Sequence, residues 1–311
     1  MKKFLAWVLM LSMVLGLLCG CSDTDSSSDR RSNRKNRDKD DEIEIIEGRE
    51  DDDRDDDEDD KKDSQKVTID EVVVYDENDI KIIVTGLEEI PLGQEIKIKV
   101  ENNTDRNITL SGDNYIVNGI SMNGFLFEQV AAGKKTKGSI TFYTEYLENA
   151  GVEQLATVDC VNAYIFDSDS YEDLYQTPFS IETSIAGDYV QEIDDSGEVV
   201  FEEAGVTVIS KGIGFYATGG VMVRLLVKNE TGRDILIQAE NVSVNGYTID
   251  GWMYNKVMAD TVCFCDLSVM AYTLEENEID DVEEISFSLA VRYTDEWDSL
   301  CESDELTFTV N

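Results

Sequence analysis

Carboxylates and thiols are the reactive groups this 311-residue chain offers, because it holds 67 Asp and Glu and six Cys but no histidine. Without imidazole there is no Ser-His-Asp or Cys-His nucleophile, no HExxH metallopeptidase and no His-ligated zinc. Carboxylates keep two chemistries open. Asp167, Asp169 and Asp173 alternate along one segment as the oxygen ligands of a calcium loop do, but there is no turn glycine and Pro178 stands where a bidentate Glu would close the loop. The segment therefore reads first as a solvated acidic loop, with calcium the only cofactor to weigh against none. Asp295, Glu296 and Asp298 around Trp297 repeat the acidic-loop-with-aromatic pattern later in the chain. A carboxylate pair could also hydrolyse a glycosidic bond, yet among so many acids no pair stands out. Gly212, Gly214 and Ala217 have the spacing of a relaxed dinucleotide fingerprint, but a strand follows instead of a helix N-terminus, so a turn is expected.

The thiols are distributed unevenly. Cys160 stands alone, whereas Cys263, Cys265 and Cys301 fall together later. Cys263 and Cys265 share parity with Leu267 and Val269, which sends them to a core where a thiol acts as a small hydrophobe. Free buried thiols are expected, with a bridge from Cys301 to one of the pair as the alternative.

The elements that must position these groups come from a duplication. Val100, Asn102, Thr104, Arg106, Ile108 and Leu110, followed by Val117, Asn118 and Gly119, recur 127 positions on as Val227, Asn229, Thr231, Arg233, Ile235, Ile237, Val244, Asn245 and Gly246. The same offset pairs Gly124 and Phe125 with Gly251 and Trp252, while upstream Gly86 matches Gly212 at offset 126, implying a one-residue insertion in the following loop of the second copy. Ile96, Ile98 and Val100, like Val223, Leu225 and Val227, alternate with polar or outward positions, the period of strands with one buried face. About seven short strands per repeat, with turns at 102–105 and 229–232, predict an antiparallel sandwich. Helical spacing occurs only at 146–155 and 273–282, where Thr273 and Glu276 form a capping box on paper. One short helical crossover per module is expected.

Outside the repeats the chain changes character. Met1 to Lys3 are positive-ended, Phe4 to Leu18 are almost wholly apolar, and small and polar residues follow, which is the order of a secretory signal over residues 1–20. Leu18, Cys19, Gly20 and Cys21 resemble the lipobox of bacterial lipoproteins, and that resemblance implies cleavage before Cys21 and a diacylglycerol on its thiol. Residues 21–66 have 20 acidic and 11 basic side chains with few apolar ones, so an ordered core is out of reach and a disordered acidic tether is expected. Such a chain spans on the order of 40 Å, and roughly 150 Å at full stretch. Of the net charge of −41, +2 lies in the leader and −9 in the tether, leaving −34 on residues 67–311. That excess excludes nucleic acid, whose phosphates need cationic contacts.

The tandem Asn, Thr, Arg and Ile pattern with its later Val-Asn-Gly resembles uncharacterised immunoglobulin-like domains found in lipoproteins of Gram-positive anaerobes. The resemblance covers 67–311 in two copies and implies an all-β fold of two tandem immunoglobulin-like antiparallel β-sandwich modules, 67–185 and 198–311. The expected role is non-catalytic. It is that of a lipid-anchored extracytoplasmic lipoprotein, held to the cell membrane through Cys21 and meeting an envelope or extracellular protein or a glycan. A carboxylate-based hydrolase or a calcium-dependent adhesion module is the alternative.

Overall fold

The computed structural model describes residues 66–310, which form one compact unit. The leader, Cys21 and all but the last residue of the acidic segment lie outside the described residues. The described chain is all-β and sandwich-like, with two short helices.

The first repeat runs β1 (Val72–Glu77), β2 (Ile80–Ile90), β3 (Gly93–Asn102), β4 (Ile108–Val117), β5 (Ile120–Val130), β6 (Lys135–Tyr143), α1 (Thr144–Asn149), β7 (Thr157–Cys160), β8 (Tyr164–Asp167), β9 (Asp173–Gln176) and β10 (Phe179–Glu182). The second repeats that order as β11 (Glu198–Glu203), β12 (Val206–Phe215), β13 (Val221–Asn229), β14 (Ile235–Val244), β15 (Tyr247–Thr248), β16 (Tyr254–Val257), β17 (Val262–Val269), α2 (Ala271–Glu276), β18 (Glu284–Tyr293), β19 (Ser299–Glu302) and β20 (Leu306–Thr309). In the first, β1, β2, β3 and β6 pair in that order, while β4 pairs with β5 on one side and with β7 and β8 on the other. In the second, β11, β12, β13 and β17 make the equivalent layer, opposite β14 flanked by β15, β16 and β18. Strands exceed the expected seven in part because turns break some of them into pieces. Opposite β4 the first repeat has two pieces, β7 and β8, where the second has β18 unbroken.

Alternation does what the sequence predicts. Ile96, Ile98 and Val100 of β3 are buried in a first core with Ile82, Leu110, Ile140 and Phe142. Val223, Leu225 and Val227 of β13 are buried in a second core with Ile237, Leu267 and Phe287. Cys263 and Cys265 lie in that second core, and all four described cysteines are free and buried. Burial pushes the Cys160 thiol up to about 12 and the Cys301 thiol up to about 11. Cys301 makes no bridge to the pair, whose own sulfurs sit 3.4 Å apart.

Local detail refines or corrects three expectations. The turns at 102–105 and 229–232 join strands that do not pair, β3 to β4 and β13 to β14, so the chain there crosses between layers. Asn102 makes that crossing. Fully buried, it donates from Nδ2 to the carbonyls of Arg106 (2.8 Å), Val130 (3.0 Å) and Ala131 (3.2 Å) and accepts at Oδ1 from the N–H (3.0 Å) and hydroxyl (2.7 Å) of Thr104. Asn229 repeats each bond with Arg233, Val257, Met258 and Thr231. The helices are shorter than 146–155 and 273–282, and the capping box does not form. Tyr143 and Met270 precede them in extended conformation with no side-chain cap, and Thr273 is buried inside α2. Gly212, finally, sits at a bulge within β12, and the turn starts only after Phe215.

Both helices end with the same left-handed residue. In the first repeat it is Gly151 (φ 63°), followed by Val152 N–H donating to Leu147 O at 2.8 Å. In the second it is Glu278 (φ 56°), followed by Ile279 N–H donating to Leu274 O at 3.0 Å. A side chain pays steric strain in that conformation which glycine avoids. Glu278→Gly is therefore expected to stabilise the chain by about 0.5–1 kcal/mol in chemical denaturation.

Candidate functional site

The two repeats are fastened together, and the fastening creates a cleft. Ile120 of β5 and Val262 of β17 pair in parallel, and Val262 and Phe264 pack onto the first core. Beside them the Met258 N–H donates to Ser121 Oγ (2.9 Å) and the Thr261 hydroxyl donates to Met258 O (2.9 Å). With the Thr261 proton committed, Ser121 donates to Thr261 Oγ1 at 2.7 Å and the ring of bonds closes. The connecting segment is strapped to both sides. Gln191 Nε2 donates to Gly151 O (2.9 Å), Ile193 packs on the first core, and Asp194 and Asp195 pair with Lys211 (2.7 Å) and Lys228 (2.9 Å) of the second repeat.

Above this junction lies a cleft of about 200 Å³. Its first-repeat wall is β5 and α1, which supplies Glu145, Tyr146 and Asn149. Its second-repeat wall carries Tyr216 after β12, Trp252, Tyr254 of β16, and Asp266 and Ser268 of β17. Each is placed by backbone. Trp252 exchanges two backbone hydrogen bonds with Ser268, at 2.8 and 2.9 Å. The β2–β3 hairpin closes at Ile90 and Gly93, but β12–β13 closes at Phe215 and Val221, and the longer connection carries Tyr216, whose hydroxyl is 2.7 Å from Ser268 Oγ. This is where the insertion expected from the offset change falls.

Aromatic faces and negative charge meet in the cleft. Trp252 is 68% exposed, and its ring lies 6.1 Å from that of Tyr254 at 33°. Asp266 receives a hydrogen bond from Asn149 Nδ2 at 3.3 Å across the junction. Burial pushes its carboxyl above the usual range, Arg224 on the neighbouring strand opposes the shift, and Glu145 adds to it by repulsion. The Tyr146 hydroxyl is likewise raised, chiefly by burial, with Glu145, Tyr143, Tyr216 and Asp266 contributing through their charges. Lys256 also lines the cleft, but it pairs with Asp234 at 3.5 Å.

The residues singled out in the sequence as calcium ligands lie elsewhere and do not converge. Asp167 Oδ1 accepts the backbone N–H groups of Asp169 and Ser170, both at 3.0 Å, which hold its carboxyl below the usual range. Its other oxygen faces Arg106 at 3.8 Å. Asp169 takes a 3.1 Å bond from Asn107, and Asp173 lines an open depression with Asp79 and Asp105. Among the described residues no three His, Cys, Asp or Glu side chains gather as metal ligands. In the second repeat the matching loop turns its acids to Arg233, which pairs with Asp295 (2.7 Å) and Glu296 (2.8 Å) and lies over the Tyr293 ring. In each loop, then, an acid faces an arginine, Asp167 with Arg106 and Asp295 with Arg233.

The repeated asparagines are equally structural. Asn118 Oδ1 accepts from Ala156 and Thr157 N–H at 2.9 and 3.0 Å, and Asn245 does the same for Glu283 and Glu284 at 2.8 and 3.0 Å. The cleft residues Glu145, Tyr146, Tyr216, Trp252, Tyr254 and Asp266 carried no functional signal in sequence. The one available pointer was the pairing of Gly124 and Phe125 with Gly251 and Trp252.

No family model matches the chain, and no curated protein matches it. Among solved structures it is similar to the conserved domain protein from Bacillus anthracis, with 10% identity over 78% of this chain and 92% of that one at a TM-score of 0.28, which is too low to bear on fold or function.

Proposed function

We propose that this chain is a surface-anchored extracytoplasmic lipoprotein whose two immunoglobulin-like modules act together as a non-catalytic binding unit, with the cleft between them as the contact site. The observation that carries the binding role is the convergence of Tyr146 from one repeat with Tyr216, Trp252 and Tyr254 from the other in a concave, partly desolvated site. Exposed rings around a few polar groups are the usual make-up of a ligand site. The anchoring half of the proposal rests on the leader and the Cys21 pattern.

Fluorine NMR of the full chain carrying fluorotyrosine and fluorotryptophan, titrated with a mixed fragment library, tests the role of the cleft. Resonances of Tyr146, Tyr216, Trp252 and Tyr254 are expected to move first. Fragments that instead collect at the depression beside Asp79 and Asp173 would overturn the assignment.

A second reading is glycoside hydrolysis, favoured by Glu145 and Asp266 sharing one aromatic-lined cleft. Binding is the better fit because hydrolysis must seat a sugar on each side of the scissile bond, and about 200 Å³ is below the ~300–1,000 Å³ typical of sites for larger ligands. Turnover of aryl glycosides that disappears in Asp266→Asn would reverse the preference.

A further inference from the structure

We propose that the cleft takes an organic cation, an alkylammonium group seated on the faces of Trp252 and Tyr254 with Asp266 and Glu145 as its counter-charges. The inference rests on the reading of the cleft as a binding site and adds the class of ligand.

Charge decides between ligands that the rings alone would accept. Glu145 repels the Asp266 carboxylate, Arg224 attracts it from the neighbouring strand without lining the cleft, and the cleft-lining Lys256 is already paired with Asp234. Residues 67–311 carry −34, so the surrounding field concentrates cations and repels anions. A neutral sugar could stack on the same rings but would leave that repulsion in place. An ammonium group relieves it and gains attraction from the ring faces as well. A hard metal ion fits less well, since calcium needs six or more oxygen ligands, whereas this cleft is walled by aromatic rings and gathers no set of three ligating side chains among the described residues. The volume of about 200 Å³ suits a single headgroup.

The pH response follows from what faces Asp266. Arg224 lies opposite on β13, Glu145, Tyr146 and Asn149 come from α1, and Tyr216 and Lys256 complete the surroundings. Because burial raises the folded-state pKa of Asp266, its ionisation costs stability as pH rises through that value. Cation binding needs the ionised form, so affinity increases over the same range and then levels off. Asp266→Asn is accordingly expected to hold or raise the melting temperature at neutral pH while weakening cation binding, a combination that a purely structural role would not give.

The test is calorimetric titration of the full chain with tetramethylammonium, cadaverine, Nα-acetyl-lysine amide, cyclohexanol and cellobiose. The cationic probes should bind one-to-one and on the order of ten-fold more tightly than cyclohexanol. Trp252→Ala and Asp266→Asn should each lose a similar factor, and Glu145→Gln should lose less. Cadaverine against acetyl-lysine amide separates a free amine from one borne on a peptide. Equal binding of cyclohexanol and the cations, or full cation affinity in Asp266→Asn, would overturn the proposal. Cellobiose binding that depends on Trp252 but not Asp266 would also overturn it while leaving the cleft a binding site. Fragments that avoid the cleft altogether would remove both readings.

Discussion

Asn229→Asp is expected to destabilise the chain by about 3–5 kcal/mol, and Asn102→Asp by a similar amount. Each amide sits in a buried notch and offers Nδ2 to three carbonyls from two different segments, so it ties the crossing after one strand to the end of the next. Aspartate keeps the size and the bonds at Oδ1 but turns the donor into an acceptor facing three oxygens. The carbonyl of Val257 then loses its amide donor, that of Met258 keeps only the Thr261 hydroxyl, and the new charge is buried. For a body of this size about 2–4 °C of melting temperature goes with each kcal/mol, so thermal denaturation should show a fall of about 6–20 °C. Protonation restores one donor, and the buried carboxyl has its pKa raised, so the deficit should be largest at neutral pH and shrink as pH falls. Thr231→Val, which loses the hydroxyl bonds to Asn229 Oδ1 (2.8 Å) and Arg233 O (2.9 Å) and the one accepted from the Arg233 N–H (3.2 Å), should cost about 1–2 kcal/mol. An aspartate variant within 1 kcal/mol of the natural chain would contradict this account of the motif.

That motif explains why the sequence disclosed so much about the fold and so little about the site. Asn102, Thr104 and Arg106 recur with Asn229, Thr231 and Arg233 because one geometric problem, crossing between layers without stranding carbonyls, is solved twice in the same way. Strand faces were equally legible, since a period of two requires nothing beyond the local chain. The turn read at Asn102 did not disclose the crossing, because turn-forming residues also serve as buried clips, and only tertiary partners distinguish the two uses. The capping box at Thr273 failed for a related reason: Thr273 is a buried residue inside α2, and Met270 holds the cap position. Beyond the Gly251-Trp252 pairing the cleft was not legible, because Tyr146 shares a cleft with Trp252 and Asp266 only once the repeats dock. The acidic loops attracted attention through spacing alone, and in the fold their carboxylates turn to backbone amides and to Arg106 or Arg233.

Gly124→Ala should cost about 3 kcal/mol and Gly251→Ala about 1–3 kcal/mol, because neither core has room for a methyl group there. A Cβ on Gly124 would lie 2.7 Å from two carbons of the Tyr115 ring and 2.8 Å from one of Phe142, two rings packed edge to face at 5.1 Å. On Gly251 it would lie 2.8 Å from Val242 Cγ1 and 3.1 Å from Leu267 Cδ1, smaller side chains that give way more easily. Chemical denaturation should rank the two variants in that order, and a Gly124 variant as stable as the natural chain would show that the pair yields where a packed core should not. The same geometry reaches the cleft. An inward glycine sends the next residue outward, and those residues are Phe125 and Trp252, at 50% and 68% exposure. Relief of the clash at Gly251 must be taken up by the segment that bonds Trp252 to Ser268, so Gly251→Ala should also shift the Trp252 fluorine resonance before any ligand is added. An unchanged resonance in a destabilised variant would mean that the cleft wall is held by Ser268 and Tyr254 independently of the core beneath it.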